Sequence, residues 1–152
     1  MGTPYSEIYD LALMSIEDYI LNTMSYEDEG KFSLYLQGFL IRAIPNFNNC
    51  LKSLEDRSDK DETFNIVLDD DEKSILADWL VIMYLDKEIL DRRQIVGMIQ
   101  NKNEAHRYSE ANLLKEKLDM RATKYEQVRN KQRDYSLKHI DWREMVGGNS
   151  AQ

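Results

Sequence analysis

The sequence predicts an all-α protein, a helical bundle of four to five helices. Only six glycines and two prolines interrupt its 152 residues, and apolar residues recur every three or four positions along most of the chain. A chain of this length corresponds to a single domain. We place a helical domain at 1–135, ending in one long helix, and an extended C-terminal arm at 136–152. A short extended segment is expected near 64–68.

The first predicted helix begins close to the N-terminus. Thr3 suits the N-cap position because its hydroxyl can accept a backbone hydrogen bond. Pro4 suits the first helical position, where its missing N–H costs nothing. Ile8, Ala12 and Ile16 then form one apolar stripe. We therefore expect a helix that buries this stripe in the core.

The second predicted helix starts near Ser25, which lies three residues before Asp28 and resembles the start of a capping box. Apolar residues then recur at helical spacing as far as Leu54. Pro45 lacks a backbone donor, and its ring clashes with the preceding turn. We therefore expect a kink or a break at 42–44, after which the helix resumes through Leu54.

The middle of the chain contains a charged segment and then a partly alternating one before a third helix begins. Residues 55–63 are charged and contain no apolar side chain, which indicates a linker. Residues 64–68 partly alternate, which indicates a short strand or an extended loop. The acidic residues 69–72 open a third helix, since one aspartate can cap it and the others favour the positive end of its dipole. We expect a turn within 85–91 and a short helix over 92–101.

The last predicted helix is the longest. Ser109 caps it, and residues 110–134 would extend about 37 Å at about 1.5 Å per residue. Its apolar stripe is narrow and charges flank it, which suits the outside of a bundle or a contact with a neighbouring subunit. The stripe consists of Leu114, Leu118, Ala122, Tyr125 and Val128.

Large apolar side chains follow this helix on a segment with no obvious core of its own. Two interpretations are open. The segment is a tail folded back on the domain, or it is an arm that docks on a partner, since Trp and Met are enriched at interfaces. The candidate interface residues are Leu137, His139, Ile140, Trp142, Met145 and Val146.

Charge is divided unevenly along the chain. Residues 1–100 contain 9 basic and 20 acidic side chains, a net charge of −11, whereas residues 101–152 contain 11 basic and 8 acidic ones, a net charge of +3. This division favours assembly or steering over simple nucleic-acid binding. The bases of the last helix alternate with acids, which is typical of a solvated or subunit-facing helix. These bases are Lys115, Lys117, Arg121, Lys124, Arg129, Lys131 and Arg133.

The sequence contains no motif for catalysis, cofactor binding or metal binding. Cys50 is the single cysteine, which excludes an internal disulfide and indicates a buried apolar side chain. His106 and His139 are too far apart to form a ligand-spaced pair. There is also no nucleophile elbow and no phosphate-binding loop. We predict a non-enzymatic protein without catalytic, cofactor-binding or metal-binding residues.

Two weaker interpretations of the acidic residues stay open. Four residues occupy ligand offsets of an EF-hand calcium loop, namely Asp59, Asp61, Thr63 and Asp70. Phe64 replaces the turn glycine of that loop, which argues against calcium. Two carboxylate pairs could bind magnesium in a nucleotide pyrophosphohydrolase, namely Asp69 with Glu72 and Glu88 with Asp91. Acids are expected at helix starts on dipole grounds alone, so a hydrolase is less favoured.

Neither a membrane nor secretion is expected for this chain. No apolar run approaches the ~18–20 residues that a membrane span requires. The first residues lack the basic and apolar regions of a signal peptide. We therefore expect a soluble intracellular protein with no membrane partner.

Five short stretches of core and cap residues form a recognisable series. In chain order they are Pro4-Tyr5-x-x-Ile8, Phe39-Leu40-x-x-Ala43-Ile44-x-x-Phe47-x-x-Cys50, Phe64-Asn65-x-x-Leu68, Glu72-Lys73-x-Ile75-Leu76-Ala77 and Tyr108-Ser109-x-Ala111-Asn112-Leu113-Leu114. Together they resemble the small neck proteins of tailed bacteriophages known as head–tail connectors or adaptors. The resemblance covers residues 4–135 and includes no catalytic residue.

The resemblance implies a structural protein of the virion neck that is made in the host cytoplasm and assembles there. Such adaptors form a ring, typically of twelve subunits, below the portal protein. They extend the DNA channel and carry the next neck or tail-completion protein. The family commonly grips the portal with C-terminal segments, which would assign that role to residues 137–146. DNA would pass through the ring without sequence-specific binding.

An acidic channel lining would repel DNA phosphates and let the genome slide. The candidate channel-facing acids are Asp59, Asp61 and Glu62. A long exposed helix and an apolar arm also suit a ring subunit that contacts two neighbours. The alternative that the residues leave open is a helical regulatory or chaperone-like module that binds other proteins.

Overall fold

The computed structural model describes residues 2–16, 27–98 and 104–140. It confirms a mostly helical bundle whose last helix is the longest. A small sheet of three two-residue strands joins the helices. In chain order the elements are β1 (Thr3–Pro4), α1 (Tyr5–Leu13), α2 (Glu29–Ala43), a 3-10 turn (Ile44–Asn46), β2 (Arg57–Ser58), β3 (Thr63–Phe64), α3 (Asp70–Met98) and α4 (Glu104–Lys138).

The N-terminal residues form a strand where a helix cap was predicted. The sheet has the order β1-β3-β2 and is antiparallel throughout, with Thr3 opposite Phe64. The Thr3 hydroxyl donates to the Ile66 carbonyl at 3.2 Å and accepts from the Leu68 N–H at 2.9 Å. Thr3 therefore fastens β1 to the segment after β3, and the predicted N-cap is wrong. The helix begins at Tyr5 because pairing with β3 holds the first residues extended.

The sheet also changes the interpretation of the charged linker. Strands β2 and β3 both draw residues from the range 55–63, so this polar segment is a hairpin. Of the extended segment predicted near 64–68, only Phe64 belongs to a strand. The Phe64 side chain is fully buried and packs against Tyr5, with ring centroids 4.9 Å apart. This aromatic contact fixes the hairpin on the helical body.

Helix α2 begins and ends with local polar contacts. The Asp28 side chain caps it by accepting from the Lys31 N–H at 3.1 Å, while the predicted cap Ser25 lies outside the described residues. The helix ends before Pro45, which confirms the predicted break. The predicted resumption through Leu54 is wrong. Asn46 donates its side-chain amide to the Arg42 carbonyl at 3.0 Å, which satisfies a carbonyl at the helix end and favours termination.

Helix α3 runs without interruption where a turn was predicted. The expected break within 85–91 and the separate helix over 92–101 are both wrong, since α3 is continuous to Met98. Leu85 and Ile89 lie one turn apart and are both buried, so core packing holds this stretch helical. Lys87 and Asp91 add an ion pair at 2.7 Å across the same turn.

Helix α4 is longer than predicted at both ends. It begins at Glu104, so Ser109 lies inside it and is not its cap, and it ends at Lys138. Its buried side chains are confined to Val128, Gln132 and Tyr135. The predicted stripe therefore contributes Val128 alone to the buried core, and Leu118 and Tyr125 are 36% and 41% exposed.

The hydrophobic core lies between α1, α2 and the first part of α3, and the second half of α4 closes it. Beyond Ile89 in α3 and before Val128 in α4, no described side chain is buried. The outer halves of these two helices therefore pair with each other outside the core. The largest fully buried side chains are Tyr5, Tyr84, Phe64, Ile8, Leu36, Leu40, Leu68, Ile75, Leu76, Leu80, Ile82 and Leu85.

Ion pairs join α3 and α4 along their whole antiparallel contact. They are Asp71 with Lys138 at 2.9 Å, Asp78 with Lys131 at 2.6 Å, Asp86 with Arg121, and Arg92 with Glu110 at 2.7 Å. Three of the four acids belong to α3, and their bases belong to α4. The uneven division of charge along the chain is therefore partly an internal complementarity between two helices. The interpretation of α4 as simply solvated or subunit-facing is wrong for Arg121, Lys124 and Lys131.

Asp78 is the most buried acid of this series, with 5% exposure. Lys124 lies 3.2 Å from one of its oxygens and Lys131 lies 2.6 Å from the other. Lys131 also donates a hydrogen bond at 2.8 Å to the Ser74 hydroxyl. Two ammonium groups thus compensate one desolvated carboxylate.

The close approach of β1 to β3 gives a testable prediction. A Cβ at Gly2 would lie 1.9 Å from the Phe64 carbonyl oxygen, so Gly2→Ala must displace β1. We expect this change to lower the free energy of unfolding by about 1–3 kcal/mol. Gly38→Ala is the matched control, because a Cβ there meets nothing within 4 Å on an exposed helix face. It should raise the free energy of unfolding by about 0.5–1 kcal/mol.

Urea denaturation followed by circular dichroism measures both changes. Equal stabilities for Gly2→Ala and the unsubstituted protein would show that β1 does not need this close approach.

Candidate functional site

A buried carboxylate joins three parts of the chain near the start of α3. Glu72 is 1% exposed, and both of its carboxylate oxygens are bonded. Oε1 accepts from Lys52 Nζ at 2.6 Å and from the Asp69 N–H at 2.9 Å. Oε2 accepts from the Tyr135 hydroxyl at 2.9 Å and lies 3.7 Å from Cys50 Sγ. The carboxylate therefore connects the start of α3, the segment after the 3-10 turn and the end of α4.

The start of α3 is a reciprocal capping box. Asp69 Oδ1 accepts from the Glu72 N–H at 2.8 Å, and the Glu72 side chain bonds the Asp69 N–H in return. The prediction that one of the acids 69–72 caps this helix is confirmed, and the capping residue is Asp69. The same spacing had suggested a metal-binding carboxylate pair. In the structure these two side chains are engaged with the backbone and with Lys52.

Opposing effects set the ionisation of this cluster. Burial alone would raise the pKa of the Glu72 carboxyl, but hydrogen bonds from Lys52, from the Asp69 backbone and from Tyr135 outweigh it, so the pKa lies below its usual value. Burial raises the pKa of the Tyr135 hydroxyl above its usual range, and that of the Cys50 thiol as well. At neutral pH the cluster is therefore an ionised carboxylate that accepts from neutral and cationic donors.

The end of α4 is fastened to the body around Tyr135. The Tyr135 ring packs against Phe47 at a centroid distance of 5.3 Å, and the His139 ring lies 4.7 Å away on an edge-to-face contact. Lys138 pairs with Asp71 at 2.9 Å. The chain therefore leaves α4 from a defined position beside the first turn of α3.

The residues predicted to form the C-terminal interface begin inside α4. Leu137 belongs to its last turn and is 44% exposed, while His139 and Ile140 follow directly and are also exposed. Trp142, Met145 and Val146 lie outside the described residues. The described part of the predicted arm thus continues the long helix and does not start a separate segment at 136.

The predicted channel-facing acids lie in the β2–β3 hairpin. Asp59 accepts from the Tyr5 hydroxyl at 2.6 Å, and Glu62 accepts from the Ser33 hydroxyl at 2.6 Å. Both carboxylates therefore tie the hairpin to the helices. Asp61 accepts at 2.8 Å from the Ser58 hydroxyl of its own hairpin and is exposed. The structure brings the three acids together, and it gives Asp59 and Glu62 contacts that stabilise the fold.

The Asp59 environment keeps that carboxyl ionised. The hydrogen bond from Tyr5, together with the Arg57 guanidinium at 3.1 Å, holds the pKa of Asp59 below its usual value. Glu62 adopts a left-handed backbone conformation with φ of 50°, which is unusual for a residue with a side chain. The Tyr9 hydroxyl bonds its carboxylate at 3.3 Å. The hairpin turn is thus held by its side-chain bonds to α1 and α2.

The residues considered for metal or hydrolase chemistry are dispersed in the structure. Asp91 pairs with Lys87 at 2.7 Å. Asp70 lies in the first turn of α3 and lines a cleft together with Glu7 and Asp10 of α1. Over residues 2–16, 27–98 and 104–140, no group of three or more His, Cys, Asp or Glu is arranged to hold a metal ion.

Sequence reasoning missed the polar residues that connect α4 to the body. Gln132 accepts from the Trp79 indole N–H at 2.7 Å and donates to Asn49 Oδ1 at 3.0 Å. Its position continues the 3–4 spacing of the α4 stripe through Val128 and Tyr135, and that spacing could have located both Gln132 and Tyr135 on the buried face. The partners of these side chains are more than 50 residues away in sequence, and no local pattern identifies them.

Comparisons with known proteins find no match to this chain. No protein-family model, curated protein or solved structure matches the chain. Within the part of the chain that the structure describes, none of the helices combines the length and the apolar character needed to cross a membrane. The function is therefore inferred from the residues of this chain.

The Glu72 cluster predicts a pH-dependent stability. Ionised Glu72 stabilises the fold fully above its unfolded-state pKa of about 4.3, and this contribution is lost as the pH falls through the lower folded-state pKa. Glu72→Gln should lower the free energy of unfolding by about 2–3 kcal/mol at pH 7. The difference from the unsubstituted protein should shrink below about pH 4.

Urea denaturation between pH 3 and pH 7 measures this difference. Asp70→Asn is the matched control, because Asp70 is an exposed acid in the same helical turn and its loss should cost below about 1 kcal/mol. A Glu72→Gln effect of constant size across this pH range would contradict the assignment.

Proposed function

We propose that the protein is a non-enzymatic structural subunit of the neck of a tailed bacteriophage. In this proposal it is a head–tail connector that forms a ring, a dodecamer by analogy with the family it resembles, below the portal protein. The ring extends the DNA channel and bridges the portal to the next neck or tail-completion protein. Its partners are further copies of itself, the portal and that next protein, and it works in the virion neck after assembly in the host cytoplasm.

The observation that carries the proposal is the anchored end of α4. Tyr135 and Lys138 fix the last turns of the helix to the body. Leu137 and Ile140 remain exposed where the chain continues. A binding arm needs such a fixed starting point, because ordering the segment on a partner then costs less conformational entropy than ordering a loose terminus. The apolar residues of 140–146 follow directly in the sequence.

The residues that carry the family resemblance support the fold more than the function. Most of them are buried, and they shape the helical body. They include Tyr5, Ile8, Phe39, Leu40, Ala43, Ile44, Phe47, Phe64, Leu68, Glu72, Ile75, Leu76 and Ala77. Contact with the portal and with neighbouring subunits therefore depends on exposed residues outside this set.

The hairpin supports an acidic channel lining that consists of two of the three predicted acids. Asp61 is exposed, and the Asp59 side chain is 46% exposed, so both can act on a passing polyanion. Glu62 turns inward to α1 and α2. The proposed channel-facing charge of each subunit is therefore carried mainly by Asp59 and Asp61. Repeated around a ring, these charges would keep DNA phosphates from adhering.

A regulatory or chaperone-like binding module is the second candidate. The outer halves of α3 and α4 expose large apolar side chains, with Leu90 at 57%, Met98 at 77% and Tyr108 at 71%. Such side chains also suit transient binding of a partner helix. Finding the protein in purified virions would favour the connector, whereas finding it only in infected cells would favour this module. A magnesium-dependent turnover abolished by Asp91→Asn would instead support the hydrolase interpretation.

The arm gives the sharpest test of the connector proposal. A variant ending at Ile140 keeps all of α4, including Lys138, so its helicity and thermal stability should match those of the full chain. We expect it to lose co-sedimentation with the portal because the apolar arm is missing. Trp142→Ala should weaken this binding at least about tenfold if the indole is a buried anchor.

Tyr108→Ala is the control for that substitution. It removes an exposed aromatic side chain from the opposite end of α4, far from the arm, and should leave portal binding unchanged. Undiminished co-sedimentation of the variant ending at Ile140 would exclude the arm as the portal-binding segment.

A further inference from the structure

We propose that a cleft beside the last turns of α4 binds a phosphate group. The cleft has a volume of about 210 Å³ and lies between α4 and the segment that follows the 3-10 turn. Basic and polar residues line it, and no carboxylate is among them. They are Asn48, Asn49, Arg129, Gln132, Arg133 and Ser136. The inference does not depend on the connector proposal.

Two guanidinium groups supply the positive charge of the cleft. Arg129 and Arg133 are four residues apart, so they project from the same face of α4. Within the described ranges, no ion pair engages Arg129. Arg133 lies 3.4 Å from its neighbour Asp134, and both side chains are about two-thirds exposed, at 65% and 68%. Such an exposed pair is weak, so both guanidinium groups can turn to a ligand.

The hydrogen bonds at the base of the cleft use both side-chain N–H groups of Asn49 and both of Gln132, so the donors left for a ligand are the two guanidinium groups and the Ser136 hydroxyl. The side-chain carbonyl of Gln132 already accepts from Trp79, and that of Asn49 accepts from Gln132. The Ser136 oxygen accepts from Asn49 at 2.6 Å, which leaves the Ser136 hydroxyl hydrogen free to donate. Together with the two guanidinium groups, this hydroxyl suits a ligand that only accepts hydrogen bonds. An oxyanion has that chemistry.

The cleft is also preformed. Gln132 is only 9% exposed and is held by bonds to Trp79, Asn49 and the Asn46 carbonyl. The base of the cleft therefore needs little reordering when a ligand binds. Its volume is below the range of about 300–1,000 Å³ typical of sites that enclose drug-sized molecules. It suits one tetrahedral phosphate, either a free phosphate ion or a single phosphate of a nucleic-acid backbone.

The test uses the full-length protein and inorganic phosphate at constant ionic strength, with chloride as the replaced anion. Amide chemical shifts followed by NMR should move around Asn48 and Ser136, with saturation in the millimolar range. The Arg129→Gln/Arg133→Gln double variant should bind phosphate at least about tenfold more weakly, because it loses both charge-assisted donors. Acetate should bind more weakly than phosphate, since it presents only two oxygens.

The matched control is Arg93→Gln/Lys115→Gln. It removes the same net charge from exposed positions on the outer halves of α3 and α4, so it should bind phosphate as the unsubstituted protein does. Equal weakening in both double variants would show non-specific attraction and would overturn the site. No difference among the three proteins would overturn it as well. Unchanged thermal unfolding of each variant excludes loss of the fold as the cause.

A short DNA duplex distinguishes the source of the phosphate. If the duplex binds through Arg129 and Arg133, and inorganic phosphate displaces it, the physiological ligand is a backbone phosphate. If inorganic phosphate binds through the two arginines and the duplex does not, the ligand is a free phosphate. Either result supports the cleft as a phosphate site.

Discussion

Burying a carboxylate is unfavourable unless hydrogen bonds and opposite charge replace its water, and this constraint organises the fold around Glu72. Its compensating donors come from Lys52, from the Asp69 backbone and from Tyr135. Tyr135 lies 63 residues away in sequence and also accepts from the Leu51 N–H at 3.1 Å. The capped start of α3, the segment after the 3-10 turn and the end of α4 therefore stabilise one another, and weakening any of them leaves a buried charge less compensated.

Charge has a similar role along the two long helices. Three acids of α3 face bases of α4, and the ion pairs run antiparallel along the contact from Asp71 and Lys138 to Arg92 and Glu110. Exposed ion pairs contribute little individually. Their distribution along the contact makes the facing sides of α3 and α4 complementary in charge. The acidic body and the basic C-terminal third are thus complementary surfaces of one molecule.

The sequence patterns correctly predicted the structural features that depend on neighbouring residues in the chain. The helical class, the break at Pro45 and the acidic start of α3 all follow from periodicity, a missing backbone donor and helix electrostatics. What they missed depends on distant contacts. Thr3 became a strand residue because it pairs with β3, and residues 85–91 stayed helical because Leu85 and Ile89 are buried. Gln132 and its partners also meet only in the folded chain, so the phosphate cleft was not predictable from sequence.

The length of α4 outside the core has a geometric consequence. The part of α4 before Val128 buries none of its own side chains, and at about 1.5 Å per residue it extends about 36 Å from that residue. Its direction is set at one end by the packing around Val128 and Tyr135 and along its length by the contacts with α3. Over this length, a difference of about 5° in the direction of the helix at Val128 would place its tip about 3 Å away. The position of that tip therefore depends on the packing at the opposite end of the helix.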